Sequence, residues 1–320
     1  MHRRASHPIA RLDDFPPGRQ SPVGARRRGR SGQDARDPRH ETASKAARTA
    51  GVPPFPRIRQ GPSAYHRPSV STKPPSVHGL ALLRHILATP SPLDRYRAPD
   101  RRYVEEDLIL LAPVGGPTRC DAIALGDVPI GYLRDLIAAR VPDATIASVE
   151  LLVERAPALE RALLGDGWRL AETEEQAMVL LDIPAESPPP PSELTVRRAM
   201  DEVSLADFWA VEEARPRHVP SAAAARDPEI AVLVGYCGGR PVATGRVSGH
   251  GSVADLMGIQ TLPDLRGRGF GTAMTWAALA AARAMGCGAA VLAATAMGRP
   301  LYSRLGFHAI GTLRTYVPSA

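Results

Sequence analysis

The sequence contains few cysteines, few lysines and no long apolar run, and each shortage excludes a class of protein. The three cysteines, Cys120, Cys237 and Cys287, are too scattered for a disulfide framework or a metal-binding cluster. We therefore expect reduced thiols, no bound metal and a cytoplasmic location. No lysine follows Lys73, which excludes the Gly-Lys-Ser/Thr loop of P-loop proteins. No apolar run reaches about 18 residues, so no membrane span is expected.

Basic residues are concentrated at the N-terminus. Residues 1–80 contain 16 Lys and Arg against 5 Asp and Glu, whereas the remaining 240 residues contain 24 against 28. With twelve prolines by Pro75 and few large apolar side chains, residues 1–79 are predicted to be a disordered extension. The run Arg26–Arg30 suits a nucleic-acid-binding arm. We favour an inert extension instead and do not expect nucleic acid as a partner.

A polyproline segment divides the rest of the chain. The run Ser187–Ser192 contains four consecutive prolines, which favour an extended spacer. We therefore predict an N-terminal α/β domain at 80–186, a linker at 187–192 and a second domain at 193–320.

The second domain shows a regular succession of strands and helices. Its pattern predicts strands at 194–198, 230–236, 241–247, 253–261, 289–294 and 307–317, helices at 203–214, 272–285 and around 300–305, and a loop or short helix at 216–226. The pair Gly238-Gly239 predicts a tight hairpin turn. Gly258, inside a strand, predicts a β-bulge.

The segment Leu265–Thr272 reads Leu-Arg-Gly-Arg-Gly-Phe-Gly-Thr and precedes an Ala-rich helix. Its alternate glycines let backbone N–H groups point at one anion, and the helix N-terminus adds further N–H groups. Arg266 and Arg268 supply positive charge. A dinucleotide site would need an acidic residue about 20 positions later. No acidic residue lies between Thr272 and Leu301. The loop is therefore predicted to bind the phosphate groups of a ligand, but not as part of a dinucleotide site.

A second motif, Leu301–Phe307, reads Leu-Tyr-Ser-Arg-Leu-Gly-Phe. Pro300 suits the first turn of a helix, and Gly306 suits its left-handed C-terminal stop. The motif therefore predicts a short helix that carries Tyr302. An isolated tyrosine of this kind is usually a core aromatic with its hydroxyl bonded to a nearby carbonyl. Behind a phosphate loop, we favour a functional role.

The two motifs resemble the Arg-x-x-Gly-x-Gly pyrophosphate loop and the Tyr-x-x-Leu-Gly-Phe motif of the GNAT superfamily of acyl-CoA-dependent N-acyltransferases. The resemblance covers residues 193–320 and implies an α/β (α+β) fold with a mixed, mostly antiparallel sheet flanked by helices. It also implies that strands four and five splay at the bulge, so that strand four pairs with the pantetheine arm of acetyl-CoA, the expected co-substrate. The implied acetyl-CoA-binding residues are Ile259, Thr261, Arg266, Gly267, Arg268, Gly269, Phe270, Gly271 and Thr272.

The resemblance implies direct transfer of an acetyl group to a primary amine. Tyr302 is then expected to protonate the leaving thiolate, and the backbone N–H of Ile259 to stabilise the oxyanion. Many family members place a Glu on strand four as the base, whereas this chain offers Asp255, with Glu212 and Glu213 as distant alternatives. A surface carboxylate on a half-exposed strand is the competing interpretation of Asp255. Deprotonation through ordered water is a further route.

The segment 80–186 is less regular. Its pattern predicts strands at 108–112, 146–153 and 177–181 and a helix at 130–139. Near its end, a short helical segment is followed by Gly167-Trp168, which parallels Gly306-Phe307 in the second domain. Two interpretations stay open: a degenerate GNAT-like half that has lost its acetyl-CoA loop, and an unrelated α/β cap.

The expected function is acetyl-CoA-dependent N-acetylation of an unidentified small-molecule or peptide amine. The alternative is a regulatory module that binds acetyl-CoA without turnover, because the usual Glu is absent. The negative charge of residues 81–320 mildly favours a cationic amine. A homodimer is left open.

Overall fold

A computed structural model of the protein describes residues 77–96, 100–113, 119–212 and 221–319. The predicted extension lies outside these residues up to position 76. Its last three positions begin a helix, so the predicted boundary at residue 79 is wrong. The described residues all fall within one compact unit, His66–Ala320. No helix among them has both the length and the hydropathy needed to cross a bilayer.

The first half of the chain contains both strands and helices. In order, it contains helix α1 (Val77–Ala88), strands β1 (Asp100–Val104), β2 (Leu108–Pro113) and β3 (Arg119–Ala124), helix α2 (Ile130–Arg140), strand β4 (Thr145–Leu152), helix α3 (Pro157–Gly165) and strand β5 (Trp168–Leu180). The sequence predicted β2, α2 and β4 closely. It missed α1, β1 and β3, and it placed the start of β5 too late.

The second half follows the predicted order. It contains strand β6 (Leu194–Arg198), helices α4 (Glu202–Val211) and α5 (Ala222–Ala225), strands β7 (Ile230–Cys237), β8 (Arg240–His250) and β9 (Val253–Thr261), helix α6 (Phe270–Ala284), strand β10 (Ala289–Ala294), helix α7 (Arg299–Arg304) and strand β11 (His308–Pro318). The last residues of the helix predicted at 203–214 and part of the loop predicted at 216–226 lie outside the described residues.

Local sequence fixes several element ends. The Asp201 carboxylate accepts the backbone N–H of Ser204 at 2.9 Å, and the Ser204 hydroxyl accepts the backbone N–H of Asp201 at 3.2 Å, which forms a capping box for α4. Gly238 and Gly239 have φ of +59° and +82° and turn the chain between β7 and β8. Gly306, with φ of +91°, ends α7 as expected.

The strands form one sheet in the order β1-β2-β3-β4-β11-β5-β10-β9-β8-β7-β6. Neighbouring strands are antiparallel except in two pairs, β3 with β4 and β9 with β10, which are parallel. The last strands of the two halves have exchanged places: β11 lies between β4 and β5, and β5 lies between β11 and β10. Each half therefore completes the sheet of the other.

The two halves repeat one succession of elements. Strands β1 to β3, α2, β4, α3 and β5 correspond in order to β7 to β9, α6, β10, α7 and β11, and the parallel pair occurs at the same place in each. This order favours a degenerate repeat over an unrelated cap. The domain boundary at 187–192 stays a prediction, since strands from both sides of it lie in one sheet.

Helices α6 and α7 cover one face of the sheet, and α1 covers the other. Phe270 of α6 and Tyr302 of α7 belong to one core cluster with Leu256 of β9. Ile86 of α1 belongs to another cluster with Val253 of β9. Residues an odd number apart on a strand point to opposite faces, so the two clusters lie on opposite sides of β9.

Candidate active site

The glycine loop and the start of α6 form a concave backbone surface. Gly267 and Gly269 have φ of +80° and +81°, conformations that favour glycine, and Gly269 is the N-cap of α6. Gly271 lies in the first turn of α6, where a Cβ atom would lie 3.2 Å from Leu301 Cδ1 and 3.8 Å from Thr261 Oγ1. Glycine here keeps open the space between α6, α7 and the end of β9.

A cleft of about 660 Å³ opens in front of this loop. Every residue predicted to bind acetyl-CoA lines it except Arg268, and Tyr302 also lines it. Arg268 pairs instead with Glu193 and lies over the Phe270 ring, 5.2 Å from the ring centre. Arg268 therefore does not line the cleft in this structure, and its role in binding acetyl-CoA stays a prediction.

Two other arginines border the cleft. Arg266 Nε donates to the Thr261 carbonyl at 3.1 Å, which holds the loop against the end of β9. Arg304 of α7 also lines the cleft, although the sequence analysis did not select it. The position of Arg304 inside the Leu301–Phe307 motif was the one feature of the sequence that could have indicated a place in the cleft. Both arginines are exposed and add positive charge near the N-terminus of α6.

Strand β9 carries the predicted bulge. Gly258 has φ of +59°, and the register between β8 and β9 shifts by one residue there. On its other side, β9 pairs with β10 from Val253 to Asp255. Beyond Asp255 the two parallel strands separate, and Ile259 and Thr261 line the cleft.

Tyr302 lies in the wall of the cleft. Its ring packs edge-on against Phe307, with 5.8 Å between ring centres, and the residue is 8% exposed. Among the described residues, its hydroxyl has no hydrogen-bond partner. Burial raises the pKa of Tyr302 to about 12, and the nearby charge of Glu175 contributes to this rise. The phenol therefore stays protonated at neutral pH.

Charged side chains gather around the bulge. Glu212, at the end of α4, places Oε2 3.2 Å from the position that a Cβ atom would take at Gly258, and Arg246 Nε lies 3.5 Å from the same point. Arg246 interacts electrostatically with both Glu212 and Asp255. The prediction that Glu212 is distant is therefore wrong, and Arg246 was not predicted at all. Glu213 lies outside the described residues.

Asp255 lines a second cavity of about 310 Å³, on the face covered by α1. Burial raises the pKa of Asp255 to about 6, although Arg246 acts in the opposite direction. Glu150 of β4 and Glu175 of β5 line the same cavity. Burial raises the pKa of both, to about 6 for Glu150. Asp255 is thus a partly buried carboxylate of a cavity wall, and the sequence did not predict its two neighbours from the first half.

The family of the second half follows from a comparison with family models. The model described as the acetyltransferase (GNAT) family matches residues 183–307. Residues 183–307 are a GNAT acetyltransferase domain. No curated protein matches the chain in sequence.

Solved structures resemble more of the chain than the GNAT domain alone. A GCN5-related N-acetyltransferase from Kribbella flavida has a TM-score of 0.54 and 19% identity, over 76% of this chain and 96% of its own. One from Sphaerobacter thermophilus has a TM-score of 0.48 and 17% identity, over 68% and 83%. A tandem GNAT protein from the clavulanic acid biosynthesis pathway has a TM-score of 0.45 and 15% identity, over 77% and 97%. The Kribbella match shows a shared fold that extends beyond the GNAT domain into the first half.

The first half differs from the GNAT domain at the position of the glycine loop. There, in the segment 125–129 between β3 and α2, the Asp127 carboxylate accepts the backbone N–H groups of Ala158 and Leu159, each at 3.0 Å. These N–H groups lie at the N-terminus of α3, the counterpart of α7, so this internal acid caps α3. The segment 125–129 reads Leu-Gly-Asp-Val-Pro, so within the described residues the glycine loop predicted to bind acetyl-CoA occurs in the GNAT domain and is not repeated.

Proposed function

We propose that the protein is an acetyl-CoA-dependent N-acetyltransferase that acetylates a primary amine by direct attack. The main support is that one cleft joins the glycine loop, the separated part of β9 and Tyr302. These parts supply an anion-binding backbone, a strand edge and a protonated phenol. The membership of residues 183–307 in the GNAT family supports the same chemistry.

In this proposal the loop binds the pyrophosphate of acetyl-CoA. The N-terminal N–H groups of α6 and the Arg266 guanidinium provide the positive charge. Gly267 and Gly269 hold the loop in a conformation that other residues rarely adopt. The pantetheine arm pairs with β9 beyond Gly258, in the gap that β10 leaves, which brings the thioester to Ile259.

The reaction proceeds through a tetrahedral oxyanion. The amine nitrogen attacks the thioester carbonyl carbon, and the new C–N bond forms while the Ile259 N–H donates to the oxyanion. Collapse of this intermediate breaks the C–S bond, and Tyr302 donates its hydroxyl proton to the departing thiolate. The proton released by the amine passes to a base, and exchange with solvent restores the Tyr302 proton.

Asp255 is the proposed base. Its pKa of about 6 makes it a stronger base than an ordinary aspartate and still leaves it ionised at pH 7. It lies on the cavity that meets the cleft from the opposite face of the sheet, where an amine can reach the thioester. Glu212 is the competing base, since its carboxylate lies beside Gly258.

Thiol release from acetyl-CoA with a panel of primary amines, combined with calorimetric titration of acetyl-CoA, tests the proposal. We expect acetyl-CoA to bind and thiol release to depend on the amine. Binding without amine-dependent release would support the alternative, a regulatory module that senses acetyl-CoA. Absence of binding would contradict both assignments.

The acceptor and the location complete the proposal. The acceptor is a small-molecule or peptide amine, and the location is the cytoplasm. The latter fits the three cysteines, which are free thiols, two of them buried.

A further inference from the structure

We propose that the cavity lined by Glu150, Glu175 and Asp255 binds the acceptor, and that the acceptor is an alkyl primary amine held as its ammonium ion. The first half of the chain would then determine the substrate of the GNAT domain, because it supplies two of the three carboxylates. This inference rests on the proposed acetyl transfer and assigns the class of the acceptor. We call this space the acceptor cavity.

The acceptor cavity meets the acetyl-CoA cleft through the gap between β9 and β10. Four residues line both spaces: Glu175, Leu256, Gly258 and Ala293. The cleft is bordered by α6 and α7, whereas the acceptor cavity is bordered by α1 on the other face of the sheet. Two substrates that enter from opposite faces can therefore meet beside the bulge, where the thioester is placed.

The carboxylates of the acceptor cavity have few hydrogen-bond donors in the part of the chain that the structure describes. Among the described residues, the side-chain carboxylates of Asp255 and Glu175 accept no hydrogen bond. Glu150 accepts one long bond, from the Thr315 hydroxyl at 3.5 Å. All three are partly buried, and the charge of Glu175 raises the pKa of Glu150. Arg246 is a cation near Asp255, on the β8 side.

A bound ammonium ion would reduce the repulsion between these carboxylates and donate hydrogen bonds to them. Partly buried like charges repel one another and are poorly solvated, so a cation that donates hydrogen bonds to them is bound selectively. An ammonium group has three donors, enough to contact all three carboxylates. Anionic acceptors are disfavoured for the same reason.

The rest of the acceptor cavity is apolar. Leu83, Ile86 and Leu87 of α1 line it, together with Leu313 of β11. These side chains offer a surface to a hydrocarbon chain next to the ammonium-binding carboxylates. The arrangement favours an alkyl amine over a compact, fully polar one.

The first test measures binding to the full-length protein saturated with CoA. Hexylamine, hexanol and hexanoate are titrated by calorimetry at neutral pH, so that chain length stays constant while the charge changes. We expect hexylamine to bind at least tenfold more tightly than the other two. Equal affinities for the three compounds would overturn the inference.

The second test uses Glu150→Gln, with Glu174→Gln as a matched control for the loss of one negative charge. Glu174 neighbours Glu175 on β5, is exposed and pairs with Arg314 at 2.8 Å. We expect Glu150→Gln to raise the KM for hexylamine about tenfold, with kcat and the affinity for acetyl-CoA nearly unchanged. The control should retain the original KM. Equal KM values for both variants would overturn the inference.

Aniline separates the failure of this inference from that of the proposed function. It is a primary amine that is uncharged at neutral pH. If aniline is acetylated as efficiently as hexylamine, acetyl transfer stands and the ammonium site is wrong. If acetyl-CoA fails to bind, both proposals fall.

Discussion

Tyr302 differs from a structural tyrosine in what its hydroxyl contacts. Tyr316, on β11, is also buried, but its hydroxyl donates to Glu160. The Tyr302 hydroxyl has no such partner among the described residues, and it borders the cleft. An unsatisfied phenol is costly in a core and useful beside a leaving group. The contact pattern therefore favours the functional interpretation of Tyr302.

The two tyrosines provide a matched pair of variants. Tyr302→Phe should lower kcat by about 10², the scale of one general acid, and should leave the Kd for acetyl-CoA and the melting temperature nearly unchanged. Tyr316→Phe should keep kcat but lower the free energy of unfolding by about 1 kcal/mol, because a buried hydrogen bond is lost. Steady-state kinetics and thermal melts measure both. If Tyr302→Phe instead lowered kcat only as far as it lowered the melting temperature, the role of Tyr302 would be structural.

Gly271 and Gly131 form a second matched pair. Each is the second residue of the helix that follows the third strand of its repeat, but a Cβ at Gly131 has no atom within 4 Å, whereas one at Gly271 meets Leu301 and Thr261. Gly271→Leu should therefore abolish calorimetric binding of acetyl-CoA while the protein stays folded. Gly131→Leu should bind acetyl-CoA with the affinity of the unmodified protein. Unchanged affinity in Gly271→Leu would contradict the placement of acetyl-CoA in the cleft.

The pKa of Asp255 predicts the pH dependence of turnover. A base must be ionised, so kcat at saturating amine should rise with pH through about 6 and level off above it. Asp255→Asn should lower kcat and remove this rise. Glu150 has a similar pKa, so Glu150→Gln serves as the control and should keep the rise.

Tyr302, with a pKa of about 12, should cause no loss of activity at moderately alkaline pH. If the rise near pH 6 persisted in Asp255→Asn, the base would be another group.

At the scale of elements, the exchange of β5 and β11 makes the two halves interdependent. Strand β11 pairs with β4 and β5, both in the first half, and β10 pairs with β5. Without the first half, β11 would lose both neighbours and β10 one of them. Their backbone N–H and C=O groups would lose their partners, and the apolar core of the sheet would be opened.

Separate expression of residues 66–186 and 187–320 tests this interdependence. The cut lies in an exposed segment. We expect residues 187–320 alone to show no cooperative thermal unfolding and no acetyl-CoA binding, and expect mixing with 66–186 to restore both. A cooperative melt and full acetyl-CoA affinity for 187–320 alone would show that the predicted domain is independent after all.

Elements with strong local patterns were predictable, and elements defined by distant contacts were not. The largely apolar sequence of β7, the Gly-Gly turn after it and the caps of α7 are local features, and the sequence predicted all of them. Strand β1 has the polar sequence Asp-Arg-Arg-Tyr-Val and forms a strand because it pairs with β2 at the sheet edge. The exchange of β5 and β11 also depends on long-range pairing, which no local pattern encodes.

The same contrast applies to the site. The glycine loop, the bulge at Gly258 and the Tyr302 helix are short motifs, and the structure brings them to one cleft. Glu150 and Glu175 are single acidic residues within strands of the other half. These two residues come close to Asp255 because β5 and β11 exchange places in the sheet, and no local pattern in the sequence indicates that exchange.

In the whole molecule, the two halves differ at the position of the glycine loop. The second half contains the glycine loop, whereas the first half has Asp127 at the corresponding position. The first half instead contributes the carboxylates of Glu150 and Glu175 to the acceptor cavity. One half is thus proposed to bind acetyl-CoA and the other to choose the amine. The shared sheet aligns the two sites across the gap between β9 and β10.

We propose that this cleft transfers an acetyl group from acetyl-CoA to an amine nitrogen. The most direct measurement is mass spectrometry of hexylamine after incubation with the full-length protein and acetyl-CoA carrying a deuterated acetyl group. We expect deuterated N-acetylhexylamine, formed much more slowly by Tyr302→Phe and not at all by Gly271→Leu. Label that stays in acetyl-CoA or appears only as acetate would contradict it.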